Sequence, residues 1–177
     1  MAASAPAVAP VAVPAVPISP AEYLRLHNLA ASPVTLDRRG WADALGLLAV
    51  SGDGYTLERL RGLDRASLTA NQATTLDATI AALETRLAAA AGPPSAVEIE
   101  ARLERAAWAD LHCDRCEHTL VPWATKSIAD SASDPGVRAT LAHLRDGPQW
   151  GSLSDRVRRS ARDILEGQGE QAAQPTR

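Results

Sequence analysis

The chain has 177 residues, enough for one domain with tails, and a formal net charge of -3, which excludes the basic surface of a nucleic-acid-binding protein. Hydrophobic residues make up 46% of it, but much of that is alanine; there is no Phe, and the large apolar groups are leucines plus Trp41, Trp108, Trp123 and Trp150. Such a composition suits closely packed helices and argues against a sheet, and no apolar run reaches the length of a membrane span.

Residues 1–18 repeat proline among alanine and valine. The segment is expected to be an extended or disordered arm, ordered only by a partner. It lacks the basic start of a signal peptide, and Pro6, Pro10, Pro14 and Pro17 interrupt any apolar helix. A cytoplasmic location is therefore expected.

The first helix start is well marked. Ser19 can cap it, Pro20 suits its first turn, Glu22 completes a capping box, and Ser32-Pro33 ends it. A second helix follows Thr35 and carries Trp41, Ala44, Leu45 and Leu48. It stops at Ser51-Gly52-Asp53-Gly54, a loop by composition. Thr56 is expected to cap a short helix with Leu57, Leu60 and Leu63.

Thr69 and Gln72 form a second capping box, opening a long helix with Leu76, Ile80, Leu83 and Leu87 on one face. Gly92-Pro93-Pro94 ends it. Ser95 and Glu98 form a third box and open a helix with the stripe Ile99, Leu103, Ala107 and Leu111, limited by Pro122. Asp134-Pro135-Gly136 starts a further helix through Val137, Leu141 and Leu144. Ser152 or Ser154 starts the last one, with Leu153, Val157, Ala161 and Leu165. The expected fold is all-α: a compact bundle of about six helices around a long antiparallel hairpin, about 70–91 and 96–119. Its expected domains are the arm 1–18, a single helical domain 19–167 and a polar, disordered tail 168–177.

One stretch concentrates the chemistry: His112-Cys113-Asp114-Arg115-Cys116-Glu117-His118. C-x-x-C with histidines suits zinc, which takes four ligands. Cys113, Cys116 and His118 could supply three, and the fourth would come from His143, from His27, from an acid or from another subunit, with His112 as a substitute ligand. No cofactor is required by these residues, and zinc is the one they would allow. The same cysteines could form a dithiol oxidoreductase centre, although a position near the C-terminal end of a helix opposes a thiolate. The default reading, ahead of both, is two small apolar side chains packed against a neighbouring helix with the histidines at its rim. Glu98, Glu100, Glu104 and Asp110 give this helix an acidic flank without the spacing of a paired-carboxylate metal site.

Trp123 and Trp150 fall in Pro/Gly-containing connections, where a tryptophan either caps the core or anchors an interface. No Ser-His-Asp or Cys-His-Asn signature is legible. The residues favour a non-catalytic protein–protein interaction or assembly subunit of a larger complex, anchored partly by its arm. The alternatives are a zinc-stabilised helical regulator and a C-x-x-C thiol oxidoreductase. Other protein subunits, including copies of the chain itself, are the expected partners, with neither nucleic acid nor membrane.

Overall fold

The computed structural model describes residues 15–33, 38–90, 92–113 and 119–172. All the regular structure among them is helical. In order, the α-helices are α1 (Pro20–Ala30), α2 (Arg38–Ser51), α3 (Gly54–Arg61), α4 (Ala70–Ala89), α5 (Ala96–His112), α6 (Leu120–Ala129), α7 (Pro135–Asp146) and α8 (Asp155–Ala172). Two short 3-10 turns, Arg65–Ser67 and Pro148–Ser152, complete the set. No helix among the described residues is long and apolar enough to cross a membrane.

Local chemistry places most helix starts where the residue types put them. Ser19 Oγ accepts from Glu22 N at 3.2 Å. The Thr69/Gln72 and Ser95/Glu98 boxes are reciprocated in both directions. Asp134 accepts from Gly136 N and Val137 N, and Ser154 Oγ accepts from Val157 N. Each bond satisfies an amide that the first helical turn leaves without a partner.

Three boundaries differ from expectation. The Asp53 side chain, not Thr56, caps α3: Asp53 Oδ1 accepts from Thr56 N at 3.1 Å, and Thr56 Oγ1 accepts from Asp53 N at 3.2 Å. A carboxylate at a helix N-terminus also faces the favourable end of the helix dipole. The preceding Gly52 is enclosed, and a Cβ there would lie 2.5 Å from Leu48 O and 2.7 Å from Thr56 Cγ2, so only glycine fits. The helix expected to run to about 119 stops at His112. Pro122 does not limit it; Pro122 is the third residue of α6, where a missing N–H leaves no bond unmade. Finally, the tail expected from 168 continues α8 to Ala172, in keeping with the helix propensity of Gln, Glu and Ala. Residues 1–14 of the expected arm lie outside the described residues; at its end, Val16 N donates to Val50 O at 2.9 Å.

Asp53→Ala is expected to lower stability by about 1 kcal/mol, the usual worth of an N-cap, measured by urea denaturation. Thr56→Ala removes one direction of the same box and should cost less.

The contacts divide the chain into two units, and the expected domain 19–167 is shared between them. In the first, whose described residues lie within 15–17 and 29–90, α4 packs against α2 and α3. Its core is Trp41, Leu45 and Leu48 of α2, Tyr55 and Leu60 of α3, and Leu76, Ile80 and Leu83 of α4. Trp41 Nε1 donates to Ala30 O at 3.0 Å. Arg86 ties the end of α2 by donating to Ala49 O and Gly52 O.

In the second, whose described residues lie within 18–28 and 92–172, α5 packs against α6, α7 and α8. Ile99, Leu103, Ala106 and Ala107 of α5 meet Val121, Ala124 and Ile128 of α6, Val137, Leu141 and Leu144 of α7, and Leu153, Val157 and Ala161 near and on α8 in one cluster. The all-helical expectation holds. Within its own unit, α4 packs against α2 and α3, and α5 packs against α6, α7 and α8. The Pro-Pro turn sets where each helix begins and ends, but the apolar faces decide what each helix packs against.

Candidate functional site

The chemistry-bearing stretch begins where α5 ends. Cys113 is the C-cap of α5, with φ -145° and ψ 94°, and its N–H donates to Ala109 O at 3.0 Å. Its backbone is extended, which ends the helix at His112. Cys113 is disulfide-bonded. The chain has one other cysteine, Cys116, which with His118 lies outside the described residues.

The remaining members of the expected zinc set lie on two different helices. His143 is exposed on α7, and His112 is exposed with its ring against Trp108, centroids 4.1 Å apart. No group of three metal-ligating side chains occurs among the described residues. Zinc is held by thiolates, and a disulfide sulfur does not supply one.

The sharper feature is on the outer face of α5. Val97 is 74% exposed, Leu111 64% and Trp108 38%. With Ala101 and Glu104 they occupy positions 97, 101, 104, 108 and 111, the spacing of a heptad seam. At 3.6 residues per turn these five lie within an arc of about 80°. The core stripe, centred on Leu103 and Ala106, lies about 140° further round the helix. Alpha5 therefore has two apolar faces, one buried and one open. Leu111, expected in the core, belongs to the open one.

The acidic flank resolves into separate roles. Glu98 is taken by the Ser95 capping box. Asp110 faces Arg156 of α8 at 3.8 Å, with the carboxylate largely buried. Glu100 and Glu104, one turn apart, make no hydrogen bond or ion pair among the described residues. They line an open groove together with Leu103, Leu144 and Leu153 and with Gln149, Trp150 and Ser152 of the turn Pro148–Ser152.

The two tryptophans singled out in the sequence part company here. Trp150 is half-buried in the 3-10 turn Pro148–Ser152 and lines this groove. Trp123 lies within α6, not in a connection, and packs against the core cluster with the Arg102 guanidinium 5.5 Å above its ring. Arg105, buried on α5, stacks likewise over Tyr23 at 4.2 Å.

The carboxylates held below their ordinary range lie away from this face. Hydrogen bonds from Arg25, Arg145 and Arg158 lower Glu22, Asp146 and Asp155 respectively. These exposed pairs contribute at neutral pH and lose their effect as the carboxylates protonate in acid. They decorate helix surfaces.

The chain matches no protein-family model, none of the curated proteins and none of the solved structures. What it does must be argued from these residues alone.

Proposed function

We propose that the chain is a non-catalytic interaction subunit of a larger protein complex, and that the outer face of α5 is its binding surface. The observation that carries this reading is the open stripe Val97, Trp108 and Leu111 at heptad spacing on a helix whose opposite side is already buried. Exposed apolar residues in single positions are ordinary, but aligned ones with a tryptophan among them mark docking surfaces. The matching occupant is an amphipathic helix of a different protein, laid along the stripe. A second copy fits less well, because antiparallel pairing about the middle of α5 would set Glu104 against its own equivalent. The proposed compartment is the cytoplasm, where a disulfide at Cys113 would be a transient state.

A photo-crosslinking residue in place of Leu111 tests the surface in cells expressing the full chain, with exposed Ala139 on α7 as control. Position 111 should give one discrete heterologous adduct that position 139 does not. Trp108→Ala should reduce it at least about tenfold, because interface tryptophans commonly carry more than 1.4 kcal/mol. Adducts of equal pattern from both positions, or none from position 111, would sink the reading. An adduct of twice the chain mass would replace the heterologous partner with a second copy.

A second reading, dithiol–disulfide exchange, is favoured by one observation, the disulfide at Cys113. Cys113→Ser separates the two: it leaves the adduct at position 111 unchanged under the first reading and removes activity under the second.

A further inference from the structure

We infer that the groove between α5 and the 3-10 turn Pro148–Ser152 accepts a cationic side chain, an arginine or lysine of the bound partner. The inference rests on the proposed binding surface and names the chemistry of its occupant. Four observations converge on it.

First, Glu100 and Glu104 leave two carboxylates in the groove lining without a cation among the described residues, whereas their neighbours Glu98 and Asp110 are both engaged. Two like charges one turn apart repel, and a cation between them relieves that repulsion. Second, the lining also holds the half-buried Trp150, and an indole ring attracts a cation over its face. Third, the lining from Leu103, Leu144 and Leu153 is apolar, which suits the methylene stem of an arginine or lysine. Fourth, Glu104 belongs both to this lining and to the open stripe of α5. A helix lying along the stripe therefore passes beside the groove, and a long basic side chain from it reaches in.

The same chemistry already operates inside this unit, where Arg102 stacks on Trp123 and Arg105 on Tyr23. Anions are opposed by the two carboxylates. A neutral apolar side chain would fill the lining and leave the carboxylates unpaired. Arginine is the better occupant, because its planar guanidinium can stack on Trp150 and reach both carboxylates.

The test uses the full chain and a defined probe, N-acetyl-arginine amide, with its neutral isostere N-acetyl-citrulline amide as control. The indole N–H signal of Trp150, assigned by its loss in Trp150→Phe, is followed by NMR. Saturable shifts at millimolar arginine amide are expected, at least about tenfold weaker with citrulline amide and weakened by added salt. They should vanish in Glu100→Gln with Glu104→Gln, two exposed or half-exposed positions where folding is unaffected. Equal response to both probes, no response, or an undiminished response in the double variant would overturn the inference. The two proposals fail separately. A specific arginine response without an adduct at position 111 leaves the groove and removes the stripe as a docking face. An adduct that persists in the double variant, with no arginine response, does the reverse.

Discussion

Trp41→Ala is expected to destabilise the first unit by about 3–5 kcal/mol, among the largest losses of any single substitution in this chain. Trp41 is 1% exposed, and its removal leaves a cavity in the core of the first unit, where α2 packs against α4. It also strips the Ala30 carbonyl of its partner, Trp41 Nε1, in a buried setting. That carbonyl is the last of α1 and has no successor in the helix to bond it. Trp41→Phe separates the two effects. It keeps most of the volume and leaves the carbonyl unsatisfied, so it should cost about 1–3 kcal/mol. Trp41 is the one tryptophan of the first unit, so urea denaturation of the alanine variant is best followed by circular dichroism. A loss below about 1 kcal/mol for Trp41→Ala would show that this core is not packed as described.

The second large effect is a contrast within one helix. Leu103→Ala is expected to cost about 2–5 kcal/mol, and Leu111→Ala less than about 0.5 kcal/mol. Both are leucines on α5, eight residues apart, and helical spacing alone puts both on one core stripe. Leu103 is 1% exposed and sits in the cluster with α6, α7 and α8; Leu111 is 64% exposed. Thermal unfolding of the two variants distinguishes the arrangements. Equal losses would mean that α5 buries a single face along its whole length. That outcome would also remove the open stripe on which the proposed interaction depends.

The contrast follows from where the neighbours of α5 lie, which leaves Leu111 outside the core. From Ile99 to Ala107 the helix has three neighbours to pack against, α6, α7 and α8. Near its C-terminal end Asp110 still reaches Arg156, but Leu111, Trp108 and His112 turn outward. A leucine and a tryptophan left in water on one line are costly unless something covers them in the cell. On the proposed reading, a cation held in the groove beside Glu104 would add charge selectivity to that line, an element that selectivity between partners needs as well as apolar area.

Much of the helical content was legible in the residues themselves. Ser19, Thr69, Ser95 and Asp134 each cap a helix because a short oxygen-bearing side chain reaches the amides of the first turn, a purely local bond. The buried stripes of α4 and α7 follow from 3.6-residue periodicity for the same local reason. The end of α5 was not legible: nothing local stops a helix at His112, and Pro122, taken as its limit, is equally at home in the first turn of a new one.

Three things belong to the tertiary structure alone. Which helices share a core could not be read from α4 and α5, because each presents an apolar face that any partner of matching shape would satisfy. The open face of α5 was hidden for a related reason: its positions 97, 101, 104, 108 and 111 are as helical in spacing as the buried ones, and spacing does not say which face finds neighbours. The groove brings Glu100 and Glu104 together with Trp150 across more than 40 residues of chain, a meeting that depends on α7 packing against α5. Capping and periodicity act within one turn, so the order of residues alone makes this protein helical and sets where most of its helices begin. The tertiary structure decided which surfaces remain open to a partner, since that depends on what every other helix has already covered.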